Sequence, residues 1–87
     1  MNVKNFETQI REVFGEQYVK VFLKNEEENE KVQKLLMKLD GVKTVNITPS
    51  ESKDNPKMTL TVYPKKVFSA EEVEESIKAA LSKYFNN

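Results

Sequence analysis

A strand followed by a helix is the clearest pattern of polar and apolar residues in the chain, and it spans residues 58–85. Along the strand, Met58, Leu60 and Val62 fall on one face, and Thr59, Thr61 and Tyr63 fall on the other. Pro64 cannot donate to a ladder, so the strand ends there. Ser69 begins the helix, because Glu72 stands three residues on and completes a capping box. The apolar stripe of this helix is formed by Ala70, Val73, Ile77, Ala80, Leu81 and Tyr84.

The first fourteen residues carry apolar side chains at helical spacing. Phe6, Ile10, Val13 and Phe14 fall at i, i+4, i+7 and i+8, on one face of a helix. Gly15 suits the position just after a helix, where the backbone often turns left-handed. The pattern therefore predicts a helix over residues 3–14 that ends at Gly15.

Residues 18–48 are predicted to form a strand, a helix and a second strand. In the first strand Val19, Val21 and Leu23 face one way, and Tyr18, Lys20, Phe22 and Lys24 face the other. Asn25 caps the helix, and Asp40-Gly41 ends it. The stripe of this helix is Val32, Leu35, Leu36 and Leu39, and the second strand has Val45 and Ile47 on one face. Residues 49–56 read as a polar loop before the last strand.

These elements predict the order α-β-α-β-β-α within a single α+β domain over residues 1–87. The two later helices pack on one face of a three-stranded sheet, and the last strand lies between the other two. Residues 18–85 form the core of this domain, and residues 1–15 are an added N-terminal helix.

Two segments resemble the heavy-metal-associated domain family, small metallochaperone modules of ferredoxin-like fold. The first is LDGVKTVNI at residues 39–47, which is similar to the family's junction between the first helix and the second strand. The other is MTLTVYP at residues 58–64 followed by SAEEV at residues 69–73, which is similar to the third strand and second helix. The resemblance implies a ferredoxin-like two-layer sandwich, although no fourth strand follows Phe85.

This sequence departs from the metal site of that family. The family binds soft metals through Cys-x-x-Cys, and the two corresponding positions here are Asn25 and Glu28, which offer no thiolate. They belong to an acidic run of Glu26, Glu27, Glu28 and Glu30. Carboxylate oxygens suit Ca²⁺ or Mg²⁺, so Asn25 and Glu28 are weak candidate ligands. The alternative is a solvated helix start whose acidic residues favour the positive end of the helix dipole.

Composition narrows the function classes. The chain has 87 residues with 14 basic and 14 acidic side chains, a balance that argues against a nucleic-acid partner. It has no His and no Cys, so the commonest general base and the thiol nucleophile are missing. No phosphate-binding glycine loop is present. We therefore expect no enzyme activity, no cofactor and a non-enzymatic interaction module, with metal binding at residues 25–30 as the alternative.

The polar face of the predicted sheet is the candidate interaction surface, formed by Tyr18, Lys20, Phe22 and Tyr63. Aromatic rings beside lysines are the ingredients of a protein contact surface and also of a stacking platform for single-stranded RNA. A third interpretation is that the apolar stripe of the N-terminal helix covers these rings. The sequence leaves all three open.

The edge of the first strand is a further candidate contact. An unpaired edge exposes backbone N–H and C=O groups, and a second copy of the chain could pair there across a two-fold axis. Lys20 and Lys24 could instead guard the edge of a monomer. No segment approaches the roughly 20 apolar residues that span a bilayer, and no signal peptide is predicted at the N-terminus. A cytoplasmic location is the expectation.

Overall fold

The structure, a computed structural model, describes residues 5–49 and 57–85. Within them the elements are β1 (Phe6–Val13), β2 (Glu16–Leu23), a 3-10 turn (Glu26–Glu28), α1 (Asn29–Met37), β3 (Val42–Pro49), β4 (Met58–Pro64) and α2 (Ala70–Tyr84). The strands form one antiparallel sheet in the order β1-β2-β4-β3. The chain therefore repeats one unit twice, an antiparallel pair of strands followed by a helix. The polar loop predicted over residues 49–56 lies almost wholly outside the described residues.

The predicted N-terminal helix is wrong, because the segment forms β1. It pairs with β2 over its whole length, from Phe6 opposite Leu23 to Val13 opposite Glu16. The four-residue spacing of Phe6 and Ile10 is a multiple of two, so it fits one face of a strand as well as one face of a helix. Val13 and Phe14 do not share that face, which removes the helical stripe.

Phe14 and Gly15 form the turn between β1 and β2 rather than the end of a helix. Their φ angles are 52° and 80°, and two consecutive positive φ values identify a type I′ turn. This turn matches the twist of paired strands, so it fixes the register of the hairpin. The signal in Gly15 for a left-handed backbone was correct, but the element that it ends is a strand.

The prediction of a three-stranded sheet in the order α-β-α-β-β-α is consequently wrong. The observed order is β-β-α-β-β-α. It differs from the β-α-β-β-α-β order of a ferredoxin-like sandwich in the place of one strand, since the strand that closes that order stands here at the front. The placement of the last strand was correct, because β4 lies between β2 and β3.

The core lies between one face of the sheet and the two helices. Its buried apolar residues are Val19, Val21, Leu23, Val32, Leu36, Val42, Val45, Leu60, Val62, Ala70, Val73, Ile77 and Leu81. Phe6 and Ile10 of β1 pack against this cluster, and Phe6 stacks on Phe85 with 6.1 Å between ring centroids. β1 is therefore part of the domain and not an appendage to residues 18–85.

The helix ends explain two of the sequence signals. The capping box at α2 is confirmed: Ser69 Oγ accepts from Glu72 N at 3.1 Å, and Glu72 Oε1 accepts from Ser69 N at 3.0 Å. α1 ends at Met37, before the predicted end at Asp40-Gly41, and Gly41 does not have the positive φ of a helix stop. Packing is what requires a glycine there. A Cβ there would lie 3.0 Å from the Phe68 ring and 3.2 Å from Val73 Cγ2.

Candidate interaction surface

The face of the sheet opposite α1 and α2 is called here the open face, because neither helix covers it. Strand alternation places on it Glu7, Gln9, Arg11, Val13, Glu16, Tyr18, Lys20, Phe22, Thr44, Asn46, Thr48, Thr59, Thr61 and Tyr63. The predicted covering of this face by an N-terminal helix does not occur, since that segment extends the sheet instead. The open face is thus a mixed surface of aromatic, hydroxyl and charged side chains.

All four predicted contact residues lie on the open face. Tyr18 and Tyr63 are on neighbouring strands, with ring centroids 5.8 Å apart and ring planes tilted by 40°. Phe22 lies on the same face, and the guanidinium carbon of Arg11 sits 5.7 Å from the centre of its ring. The sequence missed Arg11 because the prediction placed that residue on a helix.

Lys20 lies at the centre of the open face and is held by three threonine hydroxyls. Its Nζ donates to Thr48 Oγ1 at 2.9 Å, and to Thr59 Oγ1 and Thr61 Oγ1 at 3.0 Å. The side chain is only 6% exposed. Lys20 therefore ties β2 to β3 and β4, and its ammonium group is largely shielded from solvent. The sequence missed this cluster because the hydroxyls meet only once two strands pair in register.

A shallow groove of about 520 Å³ crosses the open face beside the β1–β2 turn. Its wall includes the rings of Phe14, Tyr18 and Tyr63, together with Pro49. Phe14 is fully exposed, and its neighbour Val13 is about half exposed. The groove thus combines apolar rings with two phenol hydroxyls, the type of surface on which side chains of a partner protein pack.

The charges of the open face balance. Arg11 and Lys20 are its described cations, and Glu7 and Glu16 are its described anions. A nucleic-acid surface needs an excess of cations to displace the counterions of the phosphates. The aromatic rings are present, but the electrostatic part of an RNA-binding surface is not found among these residues.

The candidate metal residues have structural partners. Asn25 Oδ1 accepts from Glu27 N at 3.1 Å and caps the 3-10 turn. Glu28 Oε2 accepts from the Tyr84 hydroxyl at 2.6 Å, and this bond raises the pKa of Tyr84 above its usual value. Glu26 Oε1 accepts from Met58 N at 2.6 Å. Residues 5–49 and 57–85 contain no group of three His, Cys, Asp or Glu side chains placed to hold a metal ion.

The open edge of the sheet is not where the sequence placed it. β2 lies inside the sheet, between β1 and β4, so its edge is paired on both sides. The edge strands are β1 and β3. Both interpretations of that edge are therefore wrong for β2: Lys20 and Lys24 guard no open edge, and a second copy cannot pair there.

The helices of the described segments are too short and too polar to cross a membrane. Comparison with known protein families, with curated proteins and with solved structures finds no match to this chain.

Proposed function

We propose that this protein is a non-enzymatic interaction module that binds a protein partner on the open face of its sheet. The site is the groove beside the β1–β2 turn, where Phe14, Tyr18 and Tyr63 expose aromatic surface. The ligand that fits this groove is an extended peptide segment with an apolar or aromatic side chain. That side chain would pack against the exposed surfaces of the tyrosine rings, which already contact each other, while the phenol hydroxyls bond to the peptide backbone.

Phe14 is the observation that carries the proposal. An aromatic residue at φ 52° loses roughly 1–2 kcal/mol relative to a right-handed conformation. Glycine or asparagine suits this turn position, and the Phe14 ring recovers no burial because it is fully exposed. Phe14 thus has an unfavourable backbone conformation and an exposed aromatic ring, and neither stabilises the fold. Such a residue points to a contact outside the chain. Aromatic residues are also enriched where interfaces gain most of their affinity.

The two alternatives have weaker support. RNA stacking would use the same rings, but the balanced charge of the open face opposes it. Metal binding at residues 25–30 would have to displace the bonds that Asn25, Glu26 and Glu28 already make. A cytoplasmic location stays a prediction.

A peptide-display selection on the intact chain tests the proposal. We expect the selected peptides to bind with an affinity that falls about tenfold or more in Tyr63→Ala, the loss typical of an aromatic contact residue. Met37→Ala is the matched control, because Met37 is an exposed apolar residue on α1. Equal binding by Tyr63→Ala and the unmodified chain contradicts the proposal. Selective binding of RNA oligonucleotides that weakens steeply with salt would favour the RNA alternative instead.

A further inference from the structure

The outer edge of β1 carries backbone groups whose directions follow from the hairpin. In a two-residue turn the closing pair, Val13 and Glu16, exchanges both backbone hydrogen bonds. Because such pairs alternate along an antiparallel ladder, the odd-numbered residues of β1 bond to β2. The bond from Lys24 N to Asn5 O, 2.9 Å long, fits this alternation. Phe6, Thr8, Ile10 and Glu12 therefore direct their N–H and C=O groups outward.

β1 carries the charged residues Glu7, Arg11 and Glu12 but lacks the other features that usually protect an edge strand. Between Phe6 and Val13 there is no proline, no lysine and no bulge, and the pairing with β2 is regular throughout. The other edge strand differs. β3 has a register shift between Val42 and Thr44, ends at Pro49, and accepts a bond from Gln33 Nε2 to Val45 O at 2.7 Å. The two edge strands of the sheet thus differ: β3 is interrupted by a register shift, and β1 is regular and extended along its length.

We propose that β1 pairs antiparallel with β1 of a second copy of this chain, so that one sheet continues across a two-fold axis. One register uses all four outward-facing residues: Phe6 lies opposite Glu12 of the second copy, and Thr8 lies opposite Ile10. Gln9 then lies on the two-fold axis, opposite Gln9 of the second copy. The occupant of this edge is therefore another copy of the chain, and this inference does not depend on the proposed function.

The charges of β1 fit the same register. It places Glu7 opposite Arg11 of the second copy, and symmetry repeats the pair on the other side of the axis. Both side chains lie on the open face, in pairs without backbone hydrogen bonds, where side chains approach most closely. No like charges face each other in this register. A shift of two residues in either direction loses backbone bonds and separates Glu7 from Arg11.

Cysteine cross-linking tests the register, because the chain has no cysteine of its own. In Gln9→Cys the two Cα atoms would lie roughly 4.5 Å apart, within the range of a disulfide. Glu7→Cys is the matched control on the same strand and face, and its two Cα atoms would lie about 14 Å apart. We expect mild oxidation to convert Gln9→Cys to a covalent dimer with native-like thermal unfolding, and to leave Glu7→Cys monomeric on a denaturing gel. Equal cross-linking of the two variants overturns the register.

Charge reversal tests the pairing without a covalent bond. Glu7→Arg and Arg11→Glu each replace two attractive pairs with two repulsive ones, so sedimentation equilibrium should show dimerisation about tenfold weaker in each. The double variant Glu7→Arg/Arg11→Glu restores opposite charges and should recover the dimer. A chain that stays monomeric up to millimolar concentration overturns the proposal. So does a dimer that none of these variants changes.

Discussion

Lys20 Nζ lies 3.0 Å from Thr61 Oγ1, on the face of the sheet that neither helix covers. Lys20 is only 6% exposed, although neither α1 nor α2 covers this face. Threonine side chains from β3 and β4 enclose it. The centre of the open face is consequently polar and hydrogen-bonded, and its aromatic residues lie around that centre.

Replacement of Lys20 should destabilise the fold. Lys20→Met keeps the aliphatic part of the side chain but removes the donor for three hydroxyls, and a hydrogen bond to a charged group contributes about 1.5–3 kcal/mol. We expect the free energy of unfolding in urea to fall by about 2 kcal/mol. The control is Lys31→Met on the exposed surface of α1, which should change it by less than about 0.5 kcal/mol. A neutral effect of Lys20→Met would show that the threonine cluster contributes nothing to stability.

Phe14 should be a residue whose replacement stabilises the fold. Phe14→Asn places a residue that tolerates positive φ in a type I′ turn, so we expect a gain of about 1 kcal/mol in urea unfolding. In Gly15→Ala the new Cβ has open space around it, but alanine is strained at the positive φ of this position. The free energy of unfolding should therefore fall by about 1 kcal/mol. If Phe14→Asn is destabilising, the Phe14 ring has a packing role that the structure does not show. Phe14→Asn should also weaken the binding of the peptides selected on the open face.

Gly41 should be required for packing and not for its backbone conformation. The Cβ of Gly41→Ala would meet the Phe68 ring at 3.0 Å, so the ring must shift. Overpacking of this kind costs about 1–3 kcal/mol. In a double-mutant cycle, Phe68→Ala should remove most of the cost of Gly41→Ala, which can be measured by thermal unfolding. Additive effects of the two substitutions would contradict this explanation.

The bond between Tyr84 and Glu28 should be visible in a pH titration. The carboxylate of Glu28 accepts from the phenol, and its bond and negative charge raise the pKa of Tyr84 above the usual 10.0. The stabilisation from this bond is therefore present below pH 10.0 and is lost as the pH rises through the raised pKa. In Glu28→Gln, phenolate absorbance at alkaline pH should develop at lower pH than in the unmodified chain. Glu27→Gln is the control and should titrate unchanged; an unchanged curve for Glu28→Gln refutes the assignment.

The sequence predicted the elements whose signals are local. The capping box at Ser69 and Glu72, the β4 alternation that ends at Pro64, and the stripe of α1 at Val32 and Leu36 each depend on neighbours in the chain. The structure confirms all three.

The first strand could not be predicted in this way because its pattern fits two periods. Phe6 and Ile10, four residues apart, share a face in a helix and in a strand. What decides between them is the pairing of eight residues with β2, a contact that local spacing does not reveal. Gly15 followed directly by strand-forming residues is compatible with a hairpin turn. The residue before glycine in such a turn is usually asparagine or aspartate, and Phe14 does not fit that pattern.

The candidate surface was predicted in part. Alternation along β2 and β4 was enough to place Tyr18, Lys20, Phe22 and Tyr63 on one face. The role of Lys20 was not predictable, because its three acceptors come from β3 and β4 and meet it only in the folded sheet. Arg11 was missed because it lies on β1, which the sequence pattern predicted to be a helix.

Backbone amide chemical shifts of the intact chain, recorded while a selected peptide is added, test the central claim most directly. We expect the largest changes on residues 13–18, in and beside the β1–β2 turn, and on Tyr63, and little change in the amide shifts of α1 and α2. Changes concentrated on α1 and α2, on the opposite side of the sheet, would show that the open face is not the binding surface.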